Sequence, residues 1–227
     1  MDHDGVQDLV LTSYPSSRDN AALFVIFGKR SGWPSSGWVE LSDLITDGSQ
    51  GFKLVPGDPT SFSVEFGFNS FNCIPDVNGD GMDDFMVGDS HWISGSYYPG
   101  RGFLLYGQAV WTPGTISLMD LINDGEGIMF KPPSDTATAY LGESTSIVDL
   151  NLDGNLDFVI SAPEADSGKG SVHVVWGGQA LTSPMTLPVD DISKGMYFKG
   201  GAGEKWGDTM NFGDVYGDGH NDLVCVS

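Results

Sequence analysis

The sequence is poor in cysteine and has no long apolar run. Only two cysteines, Cys73 and Cys225, stand among 227 residues, so a disulfide framework cannot carry the fold. The longest apolar stretches fall well short of the roughly 18 residues that a membrane-spanning helix needs. We therefore expect a chain that builds its own hydrophobic core and has no membrane-inserted segment.

Basic residues are also scarce. Ten Lys and Arg stand against 31 Asp and Glu, which gives a formal net charge of −21. A strongly acidic surface repels nucleic-acid phosphates and anionic lipid headgroups. Nucleic acid is therefore not expected as a partner. The 32 Gly and 12 Pro would suggest disorder, but they recur in phase with apolar segments that can build a core.

What the sequence does contain is a nine-residue acidic loop that recurs. Complete copies run from Asp76 to Asp84, from Asp149 to Asp157 and from Asp214 to Asp222. A copy at the start, from Asp2 to Asp8, supplies positions three to nine only. Asp or Asn occupies alternate positions of these loops, and a Gly follows position five, where a sharp turn is needed.

This pattern predicts calcium sites. Calcium takes six to eight oxygen ligands, which side chains at positions one, three, five and nine and the carbonyl at position seven would supply. Up to four sites follow, the first truncated and the last weakened because Tyr216 replaces Asn at position three. The predicted ligands are Asp2, Asp4, Val6, Asp8, Asp76, Asn78, Asp80, Met82, Asp84, Asp149, Asn151, Asp153, Asn155, Asp157, Asp214, Asp218, His220 and Asp222.

A helix–loop–helix calcium site is the main alternative. Such a loop closes its coordination sphere with an acidic residue at position twelve, where this chain has Val87, Ile160 and Cys225. These residues are apolar. They belong to short β-rich runs that follow each loop and that are typical of buried strands.

Further landmarks repeat in the same phase as the loops. The ninth-position Asp recurs every 65 to 76 residues. Downstream of each of the first three loops, an apolar run ends in an aromatic residue and Gly, at Gly28, Gly107 and Gly177. The next landmark is a Gly followed by apolar residues. The last is a Gly preceded by Phe, Leu or Trp, at Gly67, Gly142 and Gly207 respectively. Each unit thus holds about four strands.

In these features the chain resembles the FG-GAP repeats of integrin α-subunit β-propellers and related surface proteins. Phe66-Gly67, the Asp-rich loops, and the strand exits at Val87 to Asp89 and Ser161 to Pro163 carry the resemblance. It implies an all-β propeller of four-stranded antiparallel blades, with calcium between the first and second strands of a blade. Seven blades usually close such a ring.

The phasing divides the chain into a partial blade (1–58), two blades (59–132 and 133–200) and the start of another (201–227). That is roughly thirteen strands, fewer than a closed propeller of four to eight blades needs. We therefore expect a segment of a longer polypeptide, with closure through several copies as the alternative. Cys73 and Cys225 fall in non-adjacent blades, which predicts free, partly buried thiols. An intermolecular disulfide is the other possibility.

No catalytic site is predicted. Ser90 lies in a stretch that resembles the nucleophile motif of a hydrolase. However, it occupies the same position in its repeat as Ser161 does in the next, at the end of the second strand. The four histidines, including His91 and His173, have no metal-binding spacing. The carboxylates that recur in phase already belong to the acidic loops. The chain itself is therefore expected not to be an enzyme.

Binding is expected in the loops that vary between repeats. Trp92, Tyr97, Tyr98 and Arg101 form a candidate partner patch, although these aromatics could instead pack on the blade beneath. We expect an extracellular or cell-surface module that acts in adhesion, protein interaction or self-assembly through missing blades. One alternative is a lectin-like module that binds glycans through residues such as Trp38 and Trp92. Another is a non-catalytic propeller attached to an enzyme, such as a phospholipase.

Overall fold

The computed structural model describes residues 5–13, 21–33, 38, 40–44, 50–57, 66–67, 70–112 and 114–226. Strands account for most regular structure in these ranges. The helices found there are short: α1 (Leu41–Leu44), α2 (Leu118–Asp124) and α3 (Ala165–Gly168). The fold is therefore all-β, which confirms the predicted class.

Fifteen strands lie in the described ranges. They are β1 (Leu9–Ser13), β2 (Ala22–Ile26), β3 (Gly51–Val55), β4 (Phe71–Ile74), β5 (Asp84–Asp89), β6 (Arg101–Leu105), β7 (Gly114–Ser117), β8 (Gly127–Lys131), β9 (Thr145–Val148), β10 (Asp157–Ala162), β11 (Ser171–Val175), β12 (Met185–Thr186), β13 (Gly195–Lys199), β14 (Thr209–Gly213) and β15 (Asp222–Val226). The apolar runs that follow the acidic loops are thus strands and not helices.

Thirteen of these strands form antiparallel ladders in four sheets, which we number in chain order. Sheet 1 holds β1, β2 and β3, and sheet 2 holds β4, β5, β6 and β8. Sheet 3 holds β9, β10, β11 and β13, and sheet 4 holds β14 and β15. Strands in each sheet follow chain order, an arrangement consistent with the blades of a β-propeller.

The two remaining strands join neighbouring sheets, which the sequence did not predict. β7 lies in the connection between β6 and β8, yet it pairs in parallel with β3 of sheet 1. β12 lies in the corresponding connection of sheet 3, and it pairs in parallel with β8 of sheet 2. Each connection therefore adds a short strand to the outer edge of the preceding sheet and covers backbone groups that would otherwise be exposed.

Sheet 2 is buried on both faces. In β5, Phe85 and Val87 pack against sheet 1, whereas Met86 packs against sheet 3. In β6, Phe103 and Leu105 also face sheet 1, and Leu104 faces the other way. Because successive side chains of a strand point to opposite faces, continuous apolar runs in the sequence correspond to strands between two cores.

The same alternation continues into sheet 3. Phe158 and Ile160 of β10 pack against sheet 2, and Val159 joins a core with Met210 and Phe212 of sheet 4. The sheets therefore stack face to face in chain order. In sheets 2, 3 and 4 the complete acidic loops lie at one end of the sheet, in the hairpin between its first and second strands, which is where the family resemblance placed them; the truncated loop precedes β1 of sheet 1.

The outer faces of the two terminal sheets carry exposed apolar side chains. Leu9 and Leu11 of β1 are exposed, while Val10 between them packs into the first core. At the other end, Val224 and Val226 of β15 are exposed, and Cys225 packs inward. These two faces have the composition of surfaces that stack elsewhere in the molecule.

Both cysteines are free. Cys73 lies on β4 of sheet 2 and Cys225 lies on β15 of sheet 4, so the two thiols belong to non-adjacent sheets. Partial desolvation of the sulfur atoms raises the pKa of both thiols, including that of Cys73, whose residue surface is exposed. Cys225 is half-buried, as expected. The expectation of partial burial was wrong for Cys73, which is exposed.

Candidate functional site: the acidic loops

The first residue of each complete loop organises the turn through its carboxylate. Asp76 accepts hydrogen bonds from the backbone amides of Gly79 (2.6 Å), Asp80 (3.2 Å) and Gly81 (2.7 Å). These bonds draw the turn tightly around one carboxylate. The glycine at position six, Gly81, has φ of 91°, a conformation that glycine adopts without the strain another residue would incur.

The other two complete loops repeat these contacts. Asp149 accepts from the amides of Asp153 (3.1 Å) and Gly154 (2.9 Å). Asp214 accepts from the amides of Asp218 (3.0 Å) and Gly219 (2.8 Å). Position one therefore has the same structural role in all three repeats.

Positions three and five also contact each other. The Asn78 amide group donates to the Asp80 carboxylate at 2.9 Å, and its oxygen accepts from the Asp80 backbone amide at 3.0 Å. Asn151 and Asp153 form the same pair at 2.9 and 3.0 Å. In the last loop Tyr216 takes this place with an 88% exposed side chain, and its ring cannot make the paired amide contacts.

Position seven contributes its backbone amide to the loop, while its predicted role as a carbonyl ligand stays a prediction. The amides of Met82, Asn155 and His220 each donate to the carboxylate at position five, at 2.8, 2.8 and 3.0 Å. Asn155 adds a second contact because its side-chain amide donates to Asp153 at 2.9 Å. In the truncated loop Val6 and Asp8 are described, whereas Asp2 and Asp4 lie outside the described residues.

In the complete loops of sheets 2 and 3, position nine ties the loop to the end of the third strand of its sheet. The Asp84 carboxylate accepts from Val77 within the loop and from Gly107 at the end of β6, both at 2.8 Å. Asp157 accepts from Leu150 at 2.9 Å and from Gly177 at 3.0 Å. Asp8 accepts from Gly28 at 2.8 Å. The aromatic-Gly landmark thus supplies the amide that holds the ninth residue.

This role of the glycines was missed in the sequence, although their phase with the loops was the available signal. A Cβ built on Gly107 would lie 2.4 Å from the carbonyl oxygen of Asp83. A Cβ on Gly177 would lie 2.0 Å from the carbonyl oxygen of Leu156. The strand end can approach the loop only because these residues have no side chain.

The two ends of a loop differ in electrostatics. Hydrogen bonds from backbone amides, that of Gly81 foremost, lower the pKa of Asp76, and those of the last loop, led by Gly219, lower the pKa of Asp214. Burial instead raises the pKa of Asp84 and Asp157. The Asp76 and Asp214 carboxylates are therefore held in the charged form, as oxygen ligands of a cation must be.

The donor chemistry of the loops suits a hard cation because it consists of Asp and Asn oxygens at alternate positions. Within the described ranges, however, no three His, Cys, Asp or Glu side chains are grouped in a way that could hold a metal ion. The carboxylates are instead turned toward backbone amides. The loops thus bring Asp and Asn oxygens close together, and these oxygens form hydrogen bonds with one another's side chains and with the backbone amides of the turn.

The candidate partner patch needs one correction. Arg101 is only 3% exposed, and its Nε donates to the buried Asp89 carboxylate at 2.9 Å. Its guanidinium lies 4.8 Å from the centre of the Trp92 ring. Because the second strand of the repeat ends in a buried Asp, the Arg is drawn into the sheet and does not reach the surface.

The aromatic members of the patch divide in two. Trp92 and Tyr98 are half-buried, and Tyr98 packs against His91 and Tyr140 with ring centres 5.9 and 5.6 Å apart. Tyr97 is 44% exposed. Packing on the underlying sheet, the alternative left open above, therefore describes Tyr98. Tyr97 alone retains the exposure expected of a contact residue.

No helix in the part of the chain that the structure describes is long and apolar enough to cross a membrane.

Comparison with known proteins connects this architecture to a repeat family. The family model described as FG-GAP repeat matches residues 141–175, which run from Leu141 through the second complete loop to the end of β11. Phosphatidylinositol-glycan-specific phospholipase D of Bos taurus is 28% identical over 201 residues, which cover 82% of this chain and 22% of that protein. The proteins of the same name from Mus musculus (31% over 159 residues) and Homo sapiens (29% over 163 residues) each match over 67% of this chain and 17% of their own length.

The chain thus spans about a fifth of the length of the curated relatives that it matches. Its loops, aromatic-Gly strand ends and stacked sheets recur around the matched residues in the same order. This chain therefore carries an FG-GAP repeat, set within a β-propeller-like array of four antiparallel sheets.

Proposed function

We propose that this chain is a non-catalytic, calcium-stabilised propeller module of a longer extracellular protein related to phosphatidylinositol-glycan-specific phospholipase D. The observation that carries the proposal is that the first Asp of all three complete acidic loops accepts hydrogen bonds from the amides at positions five and six, and that each loop lies between the first two strands of its sheet. The similarity to about a fifth of several phospholipases supports a module that accompanies a catalytic region elsewhere. We also propose that the blades divide at 1–58, 59–132, 133–200 and 201–227, because each of the four antiparallel ladders falls within one of these ranges.

Calcium would act on stability in this proposal. Carboxylates at positions one and five of a loop repel one another, by roughly 1 to 4 kcal/mol per pair at about 4 Å. A bound cation would offset this repulsion and hold the hairpin that begins each sheet. An extracellular-type site with an affinity of about 10⁻⁴ M would add about 1.4 kcal/mol at millimolar calcium.

The module would serve protein interaction, in adhesion or in assembly of the larger protein. Its net charge disfavours nucleic acid, and the exposed apolar faces of sheets 1 and 4 match the faces that stack between its own sheets. Further blades or further copies of the chain are therefore the partners we propose for these faces. Light scattering after size exclusion, with and without the flanking chain, would show whether the faces close intramolecularly or between copies.

Glycan binding is a second candidate that rests on Trp38. Its side chain is 67% exposed, as a platform for a sugar ring would be. Trp92 is a weaker candidate because its ring is already stacked with Arg101. Loss of glycan-array binding in Trp38→Ala, with binding retained in Trp92→Ala, would favour this function.

Thermal unfolding in 1 mM calcium and in chelator tests the main proposal. We expect calcium to raise Tm by a few degrees for each site that fills. Asp80→Ala removes a predicted ligand and should reduce the shift. Asp83→Ala changes the same charge at an exposed neighbouring position of the loop and should leave it intact. Equal Tm values in both buffers would refute calcium stabilisation, and cleavage of a phosphatidylinositol-glycan anchor by this chain alone would refute the non-catalytic assignment.

A further inference from the structure

Sheet 3 has two small residues at the place where sheet 2 has a buried ion pair. Ala162 ends β10 and lies opposite Ser171, the first residue of β11. Asp89 ends β5 and lies opposite Arg101, the first residue of β6. The two pairs therefore occupy the same position in consecutive repeats, and they differ greatly in side-chain length.

The long side chain of Arg101 fills the space in front of its sheet. It is 3% exposed, and its Nη1 lies 3.7 Å from the sulfur of Met119, a residue of α2 in the connection that joins sheet 1. Its guanidinium also lies 5.3 Å from the centre of the Phe103 ring. Arg101 thus extends from sheet 2 to the preceding connection, a distance that a serine side chain cannot cover.

A cavity of about 250 Å³ lies at the corresponding place between sheets 2 and 3. Ala162 and Ser171 line it from sheet 3. Pro188 lines it from the other side, two residues after the end of β12, just as Met119 lies two residues after the end of β7. Leu187 adds apolar surface beside Pro188. The cavity therefore reflects the small pair in sheet 3, and its walls are mainly apolar.

Most polar side chains in the lining already form hydrogen bonds. The Ser171 hydroxyl lies 2.9 Å from Nε2 of His173, which is only 5% exposed. The Thr138 hydroxyl accepts from a backbone amide at 3.2 Å. The Ser134 hydroxyl bonds to that of Thr136 at 2.9 Å. A polar ligand would lose hydration on entry without gaining an equivalent partner from these groups.

Charged groups of the lining are also paired or neutral. Lys199 contacts the Asp166 carboxylate at 2.5 Å, and Lys169 contacts the same carboxylate at 2.8 Å. Burial lowers the pKa of His173 to about 4, so its imidazole is neutral at physiological pH. A charged ligand would therefore give up its hydration without finding an unpaired counter-ion at the rim.

We propose that this cavity binds a small uncharged hydrocarbon of about the size of toluene. An apolar cavity of about 150 Å³ is large enough to hold benzene, so one of about 250 Å³ accommodates a ring with a methyl group. Binding is driven by transfer of the apolar surface of the ligand out of water. The lining selects against polar groups, because its own polar side chains already have partners.

Nuclear magnetic resonance of side-chain methyl groups measures binding by the whole chain. Toluene should shift the methyl resonances of Ala162 and Leu187 in a saturable manner. The resonances of Val174 should stay near their original positions, because this residue packs on the opposite face of sheet 3. p-Cresol has one additional hydroxyl group and should bind no more tightly than toluene. Benzylamine is charged and should bind about tenfold more weakly or less.

Two substitutions should block the cavity. Ala162→Leu places a larger side chain inside it, at a position where sheet 2 accommodates Asp89. It should abolish toluene binding and raise the urea midpoint of unfolding, as cavity-filling substitutions commonly do. Ala137→Phe places a bulky ring at the exposed edge of the cavity and should weaken toluene binding about tenfold. Thr136→Phe, at the neighbouring exposed residue that does not line the cavity, is the matched control.

Any of three results would overturn the proposal. The first is the absence of saturable shifts up to the solubility limit of toluene, and the second is tighter binding of p-cresol than of toluene. The third is unchanged toluene affinity in Ala162→Leu or in Ala137→Phe. Because Ala137 is exposed, its variant decides the matter even if Ala162→Leu does not fold.

Discussion

The backbone amide of Gly107 lies 2.8 Å from a carboxylate oxygen of Asp84, although 23 residues separate them in the chain. The contact joins the end of a third strand to the last residue of an acidic loop, and Asp157 with Gly177 repeats it in the next sheet. Loop and strand end therefore form one unit, which explains why the two motifs recur in phase.

Gly107→Ala should destabilise the protein by about 1 to 3 kcal/mol, because the new methyl group would overlap the carbonyl oxygen of Asp83. The free energy of unfolding in urea measures the change. Gly213→Ala is the matched control, since no atom lies within 4 Å of its Cβ position. Equal stability of the two variants would show that the close approach at Gly107 is not required.

Asp89→Ala should cost about 3 to 5 kcal/mol, because it leaves the buried Arg101 guanidinium without its carboxylate partner. Lys169→Ala breaks an exposed ion pair with Asp166 and should cost less than about 1 kcal/mol. Denaturant unfolding of the two variants measures both effects. A loss below 1 kcal/mol in Asp89→Ala would mean that Arg101 reaches solvent when its partner is removed.

His173 should make the protein less stable in mild acid. Its pKa falls from 6.5 in the unfolded chain to about 4 in the native state, so between these values the unfolded state binds the additional proton. Stability from this group is complete above pH 6.5 and declines by about 3 kcal/mol as the pH falls to 4.

The measurement is the difference in unfolding free energy between the wild-type chain and His173→Gln from pH 7.5 to 4. This difference cancels the contributions of Asp84 and Asp157, which are present in both proteins. A pH-independent difference for His173→Gln would refute the assignment of a neutral buried imidazole.

Tyr216→Asn should strengthen calcium binding by the last loop about tenfold, if the proposed sites bind calcium, because it adds an oxygen ligand at position three. Isothermal titration calorimetry would resolve the change. Val215→Asn introduces the same side chain at the adjacent exposed position and should have no such effect. An unchanged affinity in Tyr216→Asn would show that position three contributes no ligand.

Much of the architecture could be predicted because it depends on local patterns. Apolar runs such as Phe85 to Val87 form strands whichever sheet they join. The glycine after position five is required by the sharp turn of the loop, which involves only neighbouring residues. The positions of Cys73 and Cys225 within the sequence repeat were enough to predict that they lie in different sheets. The calcium ligands stay a prediction, since the described carboxylates bond to loop amides.

Contacts between distant segments could not be predicted in the same way. The sequence pattern treats Arg101 as a loop residue, yet its burial depends on Asp89 across a strand pair. The parallel pairing of β7 with β3 depends on how neighbouring sheets stack. Neither relationship leaves a periodic signal.

By itself, the sequence determined the repeat, the all-β class and the position of each acidic loop, because these follow from hydrophobic period and turn chemistry within a few residues. Only the tertiary structure decided which amide holds the ninth Asp, which charges are buried, and that His173 lines an apolar cavity between two sheets. Those properties arise from close packing between segments far apart in the chain, where the fit of one surface against another sets burial and hydrogen bonding.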